Sequence, residues 1–227
     1  MSDPGLALCR PEPRAIPHQM LTQPACGDFA AFPSRYLHHS WRTTLFGYPI
    51  GDAVWSAPTA HEHLSAHIKR ALNLPDLRVS DLSSPAWAIA MLASEPLERF
   101  TRHVGVVAMS ATIRSAIDRR SMQAIVDQIG PALYQFALQR ASLICPAPIN
   151  IADLLGTPID AQAIGSQLQH AGRRLTQHYL DQCDPALWAR AQLKLTFLTE
   201  DHTPAPAAPI ADALVCRIVL GVKREIQ

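Results

Sequence analysis

The sequence predicts a mainly α-helical protein: one compact helical domain over residues 35–227 behind a Pro-rich N-terminal leader over residues 1–34. Three observations carry that reading. Apolar residues recur at three- and four-residue steps along several segments, the period of a helix that buries one face. Ser, Asp, Gly and Pro stand at the ends of those segments, where helix caps and first turns use them. The prolines gather in the leader, at helix starts and in a linker over 203–209.

The leader holds Pro4, Pro11, Pro13, Pro17, Pro24 and Pro33. Proline fixes φ and removes a backbone donor, so an extended leader is expected, with Ile16, Met20 and Leu21 able to dock on the body. Tyr36, Trp41, Phe46, Tyr48 and Trp55 then follow, and most of these large rings belong in a core. The spacing predicts a short helix over 34–45, a turn over 47–52, and a helix opened by Pro58-Thr59 with Leu64, Ile68, Ala71 and Leu72 on one face. Residues 73–85 read as a loop.

The clearest period starts at Ser94, an N-cap candidate followed by a tolerated Pro96. Leu97, Phe100, Val104, Val107 and Ala111 form the apolar stripe, with Glu98, Arg99, Arg102 and His103 on the other side. A short piece puts Ile113 and Ile117 on one face. Ser121 is the expected cap of the next helix, which bears Met122, Ile125, Val126 and Ile129. Gly130-Pro131 reads as a stop followed by a start, since Gly suits the residue after a helix and Pro its first turn. The helix that follows carries Leu133, Phe136, Ala137 and Ala141 and ends at Cys145-Pro146.

After a loop holding Gly156-Thr157-Pro158, Ile164, Leu168, Ala171, Leu175 and Tyr179 mark another helix. Asp184-Pro185 caps and opens the next, with Leu187 and Trp188. Leu193, Leu195 and Phe197 alternate with Lys194 and Thr196, which fits either a short strand near residues 193–198 or the end of that helix. Beyond the 203–209 linker, Leu214, Ile218 and Val222 mark a terminal helix over 210–225.

Composition narrows the class. Charged residues are 17% against a usual value of about 25%, and apolar content is ordinary at 48%, which excludes a disordered chain. With 20 basic and 19 acidic residues the net charge is +1, so the strongly basic signature of a nucleic-acid binder is missing and little repulsion keeps partners apart. The first residues have no basic and apolar pattern of a signal peptide, and no window approaches the roughly 18 apolar residues of a membrane span, so a cytosolic location is expected. Cys9, Cys26, Cys145, Cys183 and Cys216 are odd in number and lack CxxC spacing, as reduced thiols would be.

The densest group of ligand-type residues is His61, His63 and His67. His63 and His67 are four apart and share a helix face, as a zinc pair requires, which makes a metal-binding protein or metalloenzyme the alternative function. Ser65 stands where an HExxH motif starting at His61 needs its second histidine, and the sequence places no third ligand. A solvated helix face explains the same residues. His38 and His39, as neighbours on a helix, point apart. No GxSxG elbow, kinase set, GxxxxGK[ST] or GxGxxG is present, so no catalytic residue and no cofactor is assigned. Arg99, Arg102, Arg114, Arg119 and Arg120 stand against Glu95, Glu98 and Asp118, which allows a helix-turn-helix DNA binder, but an excess of two cations is not a concentrated phosphate-binding patch. The terminal helix has only Asp212 and Arg217 charged between residues 210 and 222, so it is buried or lies on a partner, and burial is the commoner outcome.

The segment 97–107, reading Leu-Glu-Arg-Phe-Thr-Arg-His-Val-Gly-Val-Val, resembles the central block of the SctK family of type III secretion accessory proteins, also called YscK, PscK, OrgA or MxiK. Thr112-Ile113-Arg114-Ser115-Ala116-Ile117, the helix over 122–130 and the Ala/Leu helix over 133–144 follow in the family's order. Tyr36-Leu37-His38 with Trp41, and Trp188, Arg190, Leu193, Lys194 and Leu195, resemble its outlying blocks. The resemblance covers about residues 36–222 in order. It implies a non-enzymatic adaptor of the cytoplasmic sorting platform, peripheral to the inner membrane of a Gram-negative bacterium. Its expected partners are the cytoplasmic domain of the ring protein SctD and the pod protein SctQ, and through SctQ, SctL and the ATPase SctN. It marks no partner-binding residue.

Overall fold

A computed structural model describes residues 23–77, 82–146, 149, 154–155, 163–198 and 211–226. Twelve α-helices are bounded among them, and the described residues contain no strand. In chain order they are α1 (Gln23–Ala31), α2 (Ser40–Phe46), α3 (Asp52–Ser56), α4 (Ala60–Ala71), α5 (Pro85–Ala90), α6 (Ser94–Ser115), α7 (Arg119–Ile129), α8 (Pro131–Gln139), α9 (Ala141–Ile144), α10 (Ile164–Cys183), α11 (Pro185–Ala191) and α12 (Asp212–Ile226). Short 3-10 turns stand at Pro33–Arg35 and Gln192–Lys194. The mainly α class follows directly.

Helix α6 is the axis of the molecule. It packs on α10, α8, α9 and α12, so it is covered on more than one side. Every residue from Val104 to Ser110 is buried, which a single amphipathic stripe does not require. The stripe residues Leu97, Phe100, Val104 and Val107 are all at or below 1% exposure. Helix α10 crosses α6 at two glycines. A Cβ on Gly172 would overlap the carbonyl of Thr101 and come within 2.9 Å of the Gly105 backbone nitrogen, and a Cβ on Gly105 would overlap the carbonyl of Leu168. Only residues without side chains let the two backbones approach this closely.

The expected face of α10 is the buried one: Ile164, Leu168, Ala171, Leu175 and Tyr179 all lie in the core. Leu175→Ala should therefore destabilise the protein by about 3 kcal/mol, read as a lowered midpoint in a thermal or urea melt. An unchanged midpoint would mean that this face is not core. The terminal helix resolves to burial as well. Val215, Ile218, Val219 and Val222 sit at 0% exposure, and α12 packs on α6, α9 and α10.

Punctuation worked where it was local. Gly130 has φ +85° and Pro131 opens α8. Asp184 accepts a hydrogen bond from the Ala186 N–H at 2.8 Å, and Pro185 follows at the first helical position. Elsewhere the structure differs. The cap of α7 is Asp118, whose carboxylate accepts from the Ser121 N–H at 2.8 Å, so Ser121 lies inside the helix. Ser94 is likewise helical, with Ala93 at the cap position. Ile113 ends the buried face of α6, whereas Ile117 is 86% exposed, because the chain leaves helical geometry at Ala116. The expected loop over 73–85 ends where helix α5 begins, with Trp87 and Ile89 buried; six residues are too few to show a period in the sequence.

The extended-leader expectation also changes from residue 23 onward. Helix α1 occupies Gln23–Ala31, and Cys26 and Phe29 are core residues. Pro24 and Pro33 sit near element starts, where a missing N–H costs nothing. Ile16, Met20 and Leu21, the loop at 156–158 and the 203–209 linker lie outside the described residues. The expected helix over 34–45 divides into the 3-10 turn and α2.

A smaller apolar cluster stands beside the main core. Leu37, Trp41, Trp55, Leu64, Ile68 and Leu193 form it, so it is built from the early helices α2 to α4 and one late residue.

Candidate functional site

The two outlying sequence blocks meet at that late residue. The alternation at 193–197 is not a strand: Gln192–Lys194 is a 3-10 turn, and the chain after it runs between the two apolar clusters. Leu193 and Phe197 pack in the smaller cluster and Leu195 in the main core. The Leu193 carbonyl accepts from the His38 N–H at 2.7 Å, and the Leu195 carbonyl accepts from Trp41 Nε1 at 2.9 Å. Phe197 donates its N–H to Ser40 Oγ at 2.7 Å and meets the Trp41 ring edge-on at 4.8 Å.

Lys194 is the centre of this seam. Its Nζ donates to the carbonyls of Ala90 at 2.7 Å and Leu92 at 2.9 Å, and stands 4.5 Å from the Phe29 ring centre and 5.3 Å from that of Tyr36. The residue is 5% exposed, and burial pulls its ammonium down to about 7. The carbonyls and ring faces oppose that pull, since both favour a cation. Tyr36 donates its hydroxyl to the Phe29 carbonyl at 2.9 Å, and burial pushes its phenol well above the usual range. Arg190, 3% exposed, donates through Nη1 to the Pro75 carbonyl at 2.7 Å and through Nε to that of Ala30 at 3.4 Å. These buried cations end on backbone carbonyls of α1, α5 and their neighbouring loops. Their work is to hold separate chain segments together.

Two members of the histidine group have hydrogen-bonding neighbours within the fold. His61 Nδ1 lies 2.9 Å from Ser34 Oγ, and that hydroxyl is also 2.8 Å from Ser65 Oγ. His67 Nε2 lies 3.2 Å from the Leu45 carbonyl, with its ring stacked on Phe46 at 4.6 Å. His63 is exposed. The shared face of His63 and His67 thus brings no third ligand, and the described residues contain no group of three His, Cys, Asp or Glu placed to hold a metal ion. His38 and His39 do not point apart. Their rings lie 4.1 Å from one another, because both precede α2 instead of sitting within a helix.

The arginines of 95–120 do not form one patch. Arg102 Nη2 reaches the Ile129 carbonyl at 3.4 Å and Arg114 Nε the Ser110 carbonyl at 3.2 Å, while Arg119 and Arg120 open α7. The helix that precedes the turn is the core axis, so its centre is covered by protein.

Exposed large apolar side chains fall into separate groups. Tyr48 and Val54, at 64% and 42% exposure, sit by the smaller cluster. Leu138 and Leu143, at 42% and 69%, sit on α8 and α9 of the main body. Periodicity could not find them, because short helices and turns have no reliable face.

The family model for Yop proteins translocation protein K (YscK) matches residues 25–227. The chain belongs to the YscK family. It is therefore a translocation-related protein of type III secretion. No curated protein and no solved structure matches it. The YscK match begins within α1, and it takes in Tyr36, Trp41, Lys194 and Leu195, residues that the seam unites. No described helix is long and apolar enough to cross a membrane.

Proposed function

We propose that this YscK-family protein is a non-enzymatic adaptor of the cytoplasmic sorting platform, joining the cytoplasmic domain of an SctD-like ring protein to an SctQ-like pod protein, and through it to SctL and the SctN ATPase. The family match over residues 25–227 carries the proposal. The molecule supports it in two ways. An adaptor must hold two contact surfaces in fixed relation, and the Trp41–Leu195 and Lys194 bonds lock the smaller cluster to the main core. Exposed apolar side chains stand on both parts, Tyr48 and Val54 on one, Leu138 and Leu143 on the other. Each interface of standard size engages about 20–30 residues a side, which 227 residues can supply twice.

The test is binding of the purified full chain to the SctD cytoplasmic domain and to SctQ, singly and together. Binding to each, with a ternary complex when all three are mixed, is expected. Binding to neither overturns the proposal.

A further inference from the structure

The corner between α6 and α7 combines two features that work against the isolated protein. Arg119 and Arg120 occupy the first two positions of α7, with no acidic residue in that turn. Cations there face the positive end of the helix dipole, where carboxylates are favoured. Directly before them, Ile117 is 86% exposed, the most exposed of the large apolar side chains among the described residues. Arg114, exposed in the last turn of α6, is turned back along that helix, its Nε donating to the Ser110 carbonyl at 3.2 Å. The carboxylate next to them in the chain, Asp118, accepts from the Ser121 N–H as the α7 cap. None of the three arginines has an ion pair among the described residues. On a chain of net charge +1, the corner sets Arg119 and Arg120 within three residues of one exposed apolar side chain.

Local rules broken together at one place mark a functional surface more often than a packing solution. Here both departures are relieved by the same kind of contact. An acidic surface neutralises the arginines, and an apolar pocket takes Ile117 out of water. Arginine beside a buried apolar anchor is also a frequent composition of interface hot spots. A lipid bilayer fits less well, since a single apolar side chain gives little insertion where interfacial helices use a whole face. A nucleic acid has no apolar pocket for Ile117.

We propose that the α6–α7 corner, with the exposed Ile117 and the adjoining Arg119 and Arg120, docks an acidic protein surface that offers an apolar pocket to Ile117. This rests on the adaptor function, for which it names one contact surface and the chemistry of its partner. Two experiments on the full chain test it. In the first, a diazirine amino acid replaces Ile117 in secreting bacteria, and the crosslinked peptide is identified by mass spectrometry. An acidic segment of a secretion protein is expected; a neutral or basic segment, a lipid or no crosslink overturns the proposal.

In the second, Arg119→Glu with Arg120→Glu, and separately Ile117→Ser, are compared with the unaltered chain for binding to the SctD domain and SctQ. The charge-reversed chain should bind one of them about tenfold or more weakly at low salt. The difference should shrink as salt rises from about 0.05 M to about 0.5 M. Its melting midpoint should stay level or rise, because glutamate suits the start of a helix, so lost binding is not lost folding. Unchanged binding of both partners overturns the corner and leaves the adaptor function standing. If neither partner binds the unaltered chain, the adaptor function falls, and the crosslink alone decides the corner.

Discussion

Gly172→Ala should destabilise this protein by about 4 kcal/mol or more, at the upper end of what one added methyl group does to a packed core. The methyl would fall on the backbone carbonyl of Thr101, and the Gly105 backbone nitrogen stands on the same side. A side chain can change rotamer to make room. A carbonyl within a helix cannot, because moving it breaks the hydrogen bonds of that turn. The only relief is for α6 and α10 to separate, and Phe100, Val104, Leu168 and Leu175 would lose their close packing as they do. Gly105→Ala should behave alike, since its methyl meets the Leu168 carbonyl. For a chain of this length the midpoint of a thermal melt should fall by about 8–16 °C. Gly27, inside α1 with open space around its Cβ position, is the control, and Gly27→Ala should leave the midpoint level or raise it by up to about 4 °C. A full-height, unshifted melt for Gly172→Ala would mean the two helices are not in backbone contact.

Lys194→Ala should cost a similar amount, about 4 kcal/mol, for a different reason. It leaves the Ala90 and Leu92 carbonyls without their donor, and removes the cation from the Phe29 and Tyr36 rings. The pH dependence separates this from simple loss of packing. Burial pulls the Lys194 ammonium down to about 7 in the folded protein, from 10.5 for an exposed lysine. Between those values the unfolded chain holds a proton that the folded protein has released, so stability rises with pH, with a slope approaching about 1.4 kcal/mol per unit. Below about 7 both states are protonated and this contribution is flat. The raised thiols of Cys26 and Cys183 work in the opposite sense near their ordinary value of 9.0, which makes pH 7 to 8.5 the useful window. Urea unfolding across that window should show the rise for the unaltered chain and lose it in Lys194→Met, which fills the space without a titrating group. An equal rise in both would remove Lys194 as its source.

The long helices were legible because their period repeats over four or more turns. Leu97, Phe100, Val104 and Val107 on α6, and Ile164, Leu168, Ala171, Leu175 and Tyr179 on α10, all lie where their spacing put them. Caps that use adjacent residues, Gly130-Pro131 and Asp184-Pro185, were legible too. The ordered apolar blocks were enough to point to the family that residues 25–227 match. The exposed apolar side chains had no such signal, since exposure of Ile117 or Leu143 depends on what the rest of the chain leaves uncovered.

The sequence by itself therefore determined the helical class, the inward faces of the main helices and the type III secretion family. Those properties rest on neighbours within a few turns and on the order of blocks along the chain. Only the tertiary structure decided that α6 is covered on several sides and that glycines 105 and 172 face each other. It also decided that Lys194 closes a seam to residues far away in the chain, and that the 193–197 alternation divides two apolar clusters instead of two faces of a sheet. The physical reason is the range of the interactions. A period reports the side on which a segment is apolar, but a backbone crossing, a buried ammonium or an uncovered corner is set by which distant segment arrives there.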